Sequence, residues 1–200
     1  MKKMIIAATM MMTVAMSVSA QREVGSLTIQ PKVGMQASGI GSNDKNLEIQ
    51  KFGGATVGAE LEYRMAKWFS LSAGAMYSRE GGKTKIKDIN VSQKVNLDYI
   101  SAPVMANFYV WKGLALKAGI EPAFKVHEKY DLPTSAVINP EYRFEEAKNF
   151  NLRMPVGISY DFNGLTLDMR IAPSITKTMK HNDLHNAYAQ LTVGYKFTLK

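Results

Sequence analysis

Charged side chains recur at every second position in several segments of this chain. Glu60, Glu62 and Arg64 follow one another in this way, and Asp168 is followed by Arg170 at the same interval. Side chains two residues apart point to the same side of an extended backbone. Because an enclosed charge without a partner is costly, such a face must contain ion pairs if it lies inside a fold. The spacing therefore predicts an electrostatic network on one face of a sheet.

Three histidines could offer metal-binding or acid–base chemistry, but their spacing favours neither. His181 and His185 flank Asp183 in a segment typical of a loop, and His127 lies far earlier in the chain. Structural zinc sites need four ligands, so solvated loop residues are the better interpretation. No serine–histidine–acid set or paired carboxylates stand out. We therefore predict no metal, no cofactor, no catalytic residue and no enzymatic activity.

A short basic segment contains Lys83, Lys85 and Lys87, close to Arg79 and Glu80. Such a segment could contact the phosphates of lipopolysaccharide or an acidic partner, and a solvated loop is the alternative interpretation. The formal charge of the whole chain is +8, and without the two lysines near its N-terminus it is +6. Since the basic residues are not concentrated on one face, we do not expect a nucleic-acid partner.

Strands with two chemically different faces are predicted to position these residues. Residues 165–175 show the pattern clearly, with Leu165, Leu167 and Met169 on one side and Thr166 and Asp168 on the other. Alternation over ten or more residues indicates a β-strand, and roughly 9–11 residues suffice for a tilted strand to cross a bilayer. Eight such segments are predicted, near residues 27–37, 53–64, 69–78, 95–110, 114–126, 150–162, 165–175 and 187–197.

The first twenty residues predict a secretory signal peptide. Lys2 and Lys3 precede an apolar stretch from Met4 to Met16, and small residues ending at Ala20 form a cleavage site. No later segment has eighteen consecutive apolar residues, and the chain contains no cysteine. We therefore predict a signal peptide over residues 1–20 and one exported barrel domain over residues 21–200, without disulfides.

The connections between the predicted strands alternate in length. Short turns fall near 65–68, 111–113 and 163–164, and long loops near 38–51, 79–94, 127–149 and 177–186. Asn163-Gly164 is the strongest hairpin turn, since both residues accept positive φ. A change of phase in the fourth strand predicts a β-bulge near Tyr99–Ser101. This alternation is typical of an up-and-down barrel of the bacterial outer membrane.

Two distributions predict that the apolar face lies outside, unlike the soluble lipocalin-like alternative. Because the interior of an eight-stranded barrel is just filled by side chains, small residues should lie inside. The polar face has Gly34, Gly54, Gly58, Gly74, Gly119, Gly157 and Gly194, against Gly53 alone on the apolar face. Aromatic residues form two predicted rings at the strand ends. The short-turn ring contains Tyr63, Trp68, Phe69, Phe108, Tyr109, Trp111, Tyr160, Phe162, Tyr195 and Phe197; the opposite ring contains Tyr77, Tyr99, Phe124 and Phe150.

Several segments resemble a known family. LDYISAPVMANFYVWKGLALKAGIEPAFKV, PVGISYDFNGLTLDMRIAPSI and AYAQLTVGYKF, with the earlier GGATVGAELEYRMAKWFSLSAGAMYSREGGK, are similar to the outer-membrane β-barrel domain of the porin family, PorT-like. The resemblance covers nearly the whole predicted mature chain. It implies a narrow pore as one activity. It also implies that an aromatic residue in the last strand, here Phe197, is recognised by the barrel assembly machinery.

With the polar face inside, ten charged residues form a predicted interior network, which we interpret as structural rather than as a path for solutes. They are Glu60, Glu62, Arg64, Lys117, Glu121, Arg153, Asp161, Asp168, Arg170 and Lys196, and Lys32 lies on the same face. Simple hairpin registers predict the contacts Lys117–Asp161, Glu121–Arg153 and Asp168–Lys196.

These observations predict an all-β, eight-stranded antiparallel transmembrane barrel in the outer membrane of a Gram-negative cell. Its expected role is structural or interactive, through external loops whose partner the sequence does not identify. A narrow, low-conductance pore for small solutes is the alternative, followed by an outer-membrane enzyme and a soluble ligand-binding barrel. The expected partners are outer-membrane lipid, lipopolysaccharide and the barrel assembly machinery.

Overall fold

The computed structural model describes residues 23–41, 47–86, 91–131, 149–176 and 185–199. Side chains are described for fewer residues near the long connections. The predicted signal peptide lies outside the described residues. Within the described ranges the chain forms β-strands, and no helix there is long and apolar enough to cross a membrane.

Eleven strand segments follow one another in the described ranges. They are β1 (Leu27–Gly41), β2 (Leu47–Ala66), β3 (Phe69–Ile86), β4 (Val91–Ser101), β5 (Val104–Trp111), β6 (Leu114–Asp131), β7 (Phe150–Arg153), β8 (Val156–Phe162), β9 (Leu165–Pro173), β10 (His185–Tyr195) and β11 (Phe197–Thr198). All of their pairings are antiparallel.

The segments make a closed barrel of eight strands, as predicted. The pairs β4 and β5, β7 and β8, and β10 and β11 each continue one barrel strand across a short interruption. The last strand returns to the first: β10 pairs with β1 from Lys32↔Gly194 to Gly41↔His185, and β11 continues the seam at Ile29↔Phe197. Closure leaves every strand of the wall with a neighbour on both sides, which removes the sheet edges.

Two of the interruptions occur at prolines, because proline has no N–H for the ladder. Pro103 separates β4 from β5 and Pro155 separates β7 from β8. Each proline still accepts through its carbonyl, from the N–H of Gly74 and of Gly119 respectively, at 3.0 Å. The wall therefore remains continuous where the ladder lacks a donor.

The predicted orientation of the two faces is confirmed. Apolar side chains such as Leu167, Met169 and Ile171 are exposed on the outer wall, while the alternating polar side chains are buried inside. Glycine shows the same difference on a single strand. A Cβ at the inward Gly58 would lie 2.2 Å from the Ala75 carbonyl oxygen, whereas one at the outward Gly53 would meet nothing within 4 Å.

The aromatic rings are present with two corrections. The rings of Trp68, Phe69 and Phe108 pack against one another on the outer wall beside the short turns. The sequence predicts Tyr99 in the opposite ring, but it is 0% exposed and lies inside the barrel. Tyr109 is also inside, where its hydroxyl donates to a Glu62 carboxylate oxygen. Tyr109 lies inside because a tyrosine whose hydroxyl has a polar partner can occupy a lumen position. Tyr99 lies inside because its ring packs with Leu97 and Ala123 and lies 4.9 Å from the Arg153 guanidinium.

The long connections are shorter than predicted, because the strands continue past the apolar band. Strand β3 extends to Ile86 and β4 begins at Val91, so most of the predicted loop 79–94 is strand. The predicted loops 38–51, 127–149 and 177–186 likewise contain parts of β1, β2, β6 and β10. Backbone pairing needs no apolar side chain, so the alternation pattern ends before the strands do.

The irregularity predicted in the fourth strand lies on its neighbour. Asp98 pairs with His127 and Tyr99 pairs with Lys125, so Val126 is the extra residue. Val126 and His127 are consequently both exposed on the outer wall. Strand β4 pairs with β3 without a shift. The apparent phase change has another cause: Leu97 and Tyr99 face the lumen, where they pack with Ala123.

Candidate functional site: the charged lumen and the outer wall

All ten charged residues of the predicted network are buried inside the barrel, together with Lys32 and Glu80. The sequence predicts Glu80 in a loop, although it continues the inward alternation of Met76 and Ser78 along β3. Following that alternation beyond the apolar band would have identified it. The buried charges form three clusters at successive heights, which we call lower, middle and upper, counted from the short turns.

The middle cluster spans the lumen between opposite walls. It consists of Lys32 on β1, Glu60 on β2, Lys117 on β6, and Asp168 and Arg170 on β9. Lys117 Nζ lies 2.6 Å from Asp168 and 3.4 Å from Glu60. Arg170 bridges the same carboxylates, at 2.8 Å to Glu60 and 3.0 Å to Asp168, and Lys32 Nζ lies 2.8 Å from Glu60. Each carboxylate thus receives several cationic donors, which offsets its loss of water.

The upper cluster is centred on Arg153. Its two terminal nitrogens each lie 2.8 Å from one oxygen of Glu80, a bidentate pair that joins β7 to β3 across the lumen. Nη1 also donates to Glu121 at 3.2 Å, and the Tyr188 hydroxyl donates to the other Glu121 oxygen at 2.6 Å. The guanidinium lies 4.9 Å and 5.2 Å from the ring centroids of Tyr99 and Tyr188. Arg153 is therefore held by charge and by aromatic faces.

The lower cluster surrounds Glu62 near the short turns. Lys196 Nζ lies 2.8 Å from Glu62 and 3.6 Å from Asp161. Ser70 donates to the other Glu62 oxygen at 2.6 Å, beside the hydroxyl of Tyr109. The Arg64 guanidinium lies 3.5 Å from the centroid of the Tyr109 ring. The lower end of the lumen is thus occupied by the chain's own side chains.

One of the three predicted contacts is present, and the other two pairs are exchanged. The Glu121–Arg153 contact is present, between residues that are direct register partners. Lys117 contacts Asp168 instead of Asp161. Lys196 lies beside Asp161 and Glu62 rather than Asp168. Hairpin registers describe neighbouring strands only, whereas long side chains in a narrow barrel reach across it.

Together the three clusters are electrically balanced. Their cations are Lys32, Arg64, Lys117, Arg153, Arg170 and Lys196, and their carboxylates are Glu60, Glu62, Glu80, Glu121, Asp161 and Asp168. A mobile ion entering such a lumen would have to displace partners already bound to one another. The arrangement therefore favours cross-bracing of the wall over passage of ions.

A separate row of polar residues lies on the outer wall, farther from the short turns than the aromatic ring of Tyr77, Phe124 and Phe150. Arg79, Asp98 and His127 are register neighbours on β3, β4 and β6. Arg79 Nε donates to Asp98 at 3.0 Å, and the Arg79 side chain is 57% exposed. Partial burial opposes ionisation of Asp98, but hydrogen bonds from Arg79 and Tyr77 hold the pKa of this carboxyl below its usual range. We call these three residues the outer row.

The remaining sequence candidates lie mostly beyond the described side chains. Lys83 and Lys85 belong to β3 rather than to a loop, and Lys87 is outside the described residues. His181 is also outside them, and His185 begins β10. Across the described ranges, no group of three or more potential ligand residues could hold a metal ion.

The comparisons with known proteins agree with this geometry. A family model described as an outer membrane protein beta-barrel domain matches residues 19–180. The chain belongs to this family. A search of curated protein sequences finds no match. The family model does not test the narrower resemblance to PorT-like porins, which stays a prediction.

Solved structures with the same fold include two small outer-membrane proteins. OprG from Pseudomonas aeruginosa is 11% identical, with a TM-score of 0.53, over 90% of this chain and 99% of that one. Neisserial surface protein A is 12% identical, with a TM-score of 0.54, over 86% and 97%. Ail of Yersinia pestis is 13% identical over 88% and 100%, with a TM-score of 0.49. At such low sequence identity, the similarity to these proteins is one of fold alone.

Family and fold together locate this family member in the outer membrane. In bacterial barrels of this class the short turns are periplasmic and the longer connections external. The lower cluster is then at the periplasmic end. The outer row and the strand extensions beyond it are at the cell surface.

Proposed function

We propose that this barrel is a non-enzymatic structural or interaction protein, whose surface-exposed strand extensions and connections meet partners outside the cell. The observation that carries the proposal is the middle cluster, in which Arg170 and Lys117 join Glu60 to Asp168 across the lumen. A lumen cross-braced in this way leaves the external surface as the part available for recognition. Long connections on a rigid scaffold are where binding commonly resides.

The proposed partners follow from chemistry at the two ends of the barrel. Lys83, Lys85 and Lys87 supply positive charge for lipopolysaccharide phosphates on the external side. At the closing seam, Phe197 pairs with Ile29, and the centroid of its ring lies 4.8 Å from that of Tyr195. This aromatic residue of the last strand is our candidate for recognition by the barrel assembly machinery. Outer-membrane lipid surrounds the apolar wall.

A narrow pore is the second candidate, and one observation favours it. Several buried side-chain atoms of the described residues have no hydrogen-bond partner. Gln30 Nε2, Gln36 Nε2 and Thr192 Oγ1 are three of them and lie on the β1–β10 side of the lumen; others, such as Asn107 Oδ1 and Asn151 Nδ2, lie on other strands. Buried polar atoms ordinarily bind something, often water. A polar path along this seam would conduct small solutes weakly.

Planar-bilayer recording distinguishes the two candidates. Purified barrel, refolded in detergent and shown to be folded by its heat-dependent gel mobility, is added to a neutral bilayer in concentrated potassium chloride. We expect no discrete single-channel openings, because the ion pairs of the lumen stay formed and block the passage of ions. A general porin added to the same bilayer is the positive control. Reproducible single-channel steps from the barrel alone would instead establish the pore.

A further inference from the structure

We infer that the outer row binds a phosphate group of the glycolipid in the outer leaflet, with Arg79 as the principal ligand and Asp98 as the residue that positions it. This site is distinct from the predicted lysine segment. The inference rests on the proposed function for its ligand class, the phosphates of lipopolysaccharide, and assigns them a second site.

The height of the outer row on the wall is the first support. Tyr77, Ile100 and Phe124 are register neighbours that face outward, and Phe150 follows beside Phe124. Aromatic residues of membrane barrels lie at the headgroup level. Arg79 is two residues further along β3 than Tyr77, roughly 7 Å along the strand. Its side chain therefore reaches the zone where the phosphates of a membrane glycolipid lie.

The way in which Arg79 is held is the second support. Its Nε donates to Asp98 at 3.0 Å, on the neighbouring strand. A guanidinium has five N–H donors, so this contact leaves donors for a ligand. With more than half of the side chain exposed, those donors are accessible on the lipid side of the wall. A planar, preoriented guanidinium suits phosphate better than a flexible ammonium.

The β-bulge on β6 is the third support. Because Val126 is an extra residue, His127 lies on the outer wall directly opposite Asp98 in the register. Bulges often re-aim a side chain at a functional place. The imidazole adds a second nitrogen group to the row, on the side of Asp98 opposite to Arg79. The row thus presents two nitrogen groups about two strand spacings apart, near 10 Å.

The experiment measures binding of lipid A by native mass spectrometry of the refolded chain in detergent. Probes are diphosphoryl lipid A, the same glycolipid without phosphates, and inorganic phosphate as a competitor. The wild type should retain diphosphoryl lipid A and release the dephosphorylated form. R79Q should weaken retention about tenfold, the size of one charge-assisted contact. R79K, which keeps the charge but loses the fork, should be intermediate, and H127A should have a smaller effect.

The matched control is K112Q, which removes one exposed charge at the opposite rim and should leave retention unchanged. Heat-dependent gel mobility establishes that every variant is folded, and Arg79 is exposed enough that we expect it to be. Equal retention by R79Q and the wild type would overturn the inference, and so would full displacement by millimolar inorganic phosphate. A variant with Lys83, Lys85 and Lys87 changed to Gln separates the two sites. Loss in that variant alone would place the lipid on the lysines and reject the outer row.

Discussion

At the residue scale, Arg153 shows how the lumen depends on single side chains. It binds both oxygens of Glu80 and one oxygen of Glu121, and all three residues are buried. A buried ion pair is weak evidence for stability, because apolar residues of equal volume can replace the whole set. Removing one partner is a different case, since it leaves the others charged and without that partner.

We expect R153M to lower the free energy of unfolding by about 3–5 kcal/mol, because two buried carboxylates lose the cation that they share. The measurement is the urea midpoint of tryptophan fluorescence in detergent micelles. K112M is the matched control, since Lys112 is exposed at the turn between β5 and β6 and its loss should leave the midpoint nearly unchanged. An unchanged midpoint for R153M would show that the upper cluster does not stabilise the fold.

The clusters also explain which residues can be found from the sequence at this scale. The polar alternation by itself predicts Glu60, Asp168 and Arg170 in the lumen, where they lie. It misses Tyr99 and Tyr109, because tyrosine is equally suited to a membrane interface and to a polar interior. The difference depends on what the tyrosine meets inside the barrel, and these partners are distant in sequence. Glu62 accepts a hydrogen bond from the hydroxyl of Tyr109, and the Arg153 guanidinium lies against the ring of Tyr99.

At the element scale, strand β2 shows how differently inward and outward glycines are packed in the barrel wall. Its inward glycines, Gly54 and Gly58, lie against backbone oxygens of β3, whereas the outward Gly53 has free space. A narrow barrel must bend each strand strongly, and inward positions become crowded as a result. The glycines on the polar face therefore have a steric function rather than a conformational one.

We expect G58A to destabilise the barrel by about 1–3 kcal/mol, the usual range for forcing extra atoms into a packed interior. G53A, on the same strand, should be neutral or stabilise by up to about 1 kcal/mol, since alanine loses less backbone entropy than glycine. The comparison is made by urea unfolding of both variants under identical conditions. Equal midpoints for the two would contradict the steric assignment.

At the scale of the whole molecule, the closing seam makes one unit of the eight barrel strands. β1 pairs with β10 over ten residue pairs from Lys32↔Gly194 to Gly41↔His185. Val193 is inside this seam, between Val33 and Leu167 on the neighbouring strands. In lipid, an open edge would leave backbone groups without partners, so closure is required for insertion.

We expect V193P to reduce the fraction of chain that shows the heat-dependent shift in gel mobility marking a closed barrel, because proline removes a backbone donor at a position paired on both sides. V193A is the matched control, since it shortens the same lipid-facing side chain and keeps the N–H. It should retain the shift. A normal shift in V193P would mean that the seam tolerates a missing hydrogen bond and that closure depends less on it than the geometry indicates.

The sequence by itself determined the number of barrel strands, the orientation of their faces and the charges enclosed by the wall. These properties follow from a two-residue period, which is local and repeats along every strand. Only the tertiary structure decided which charges meet. Arg153 and Glu80 are far apart in the chain and lie on non-adjacent strands. They meet because the lumen is narrow enough for their two side chains to reach each other across it. The outer row likewise required the register, since an extra residue on β6 places His127 beside Asp98.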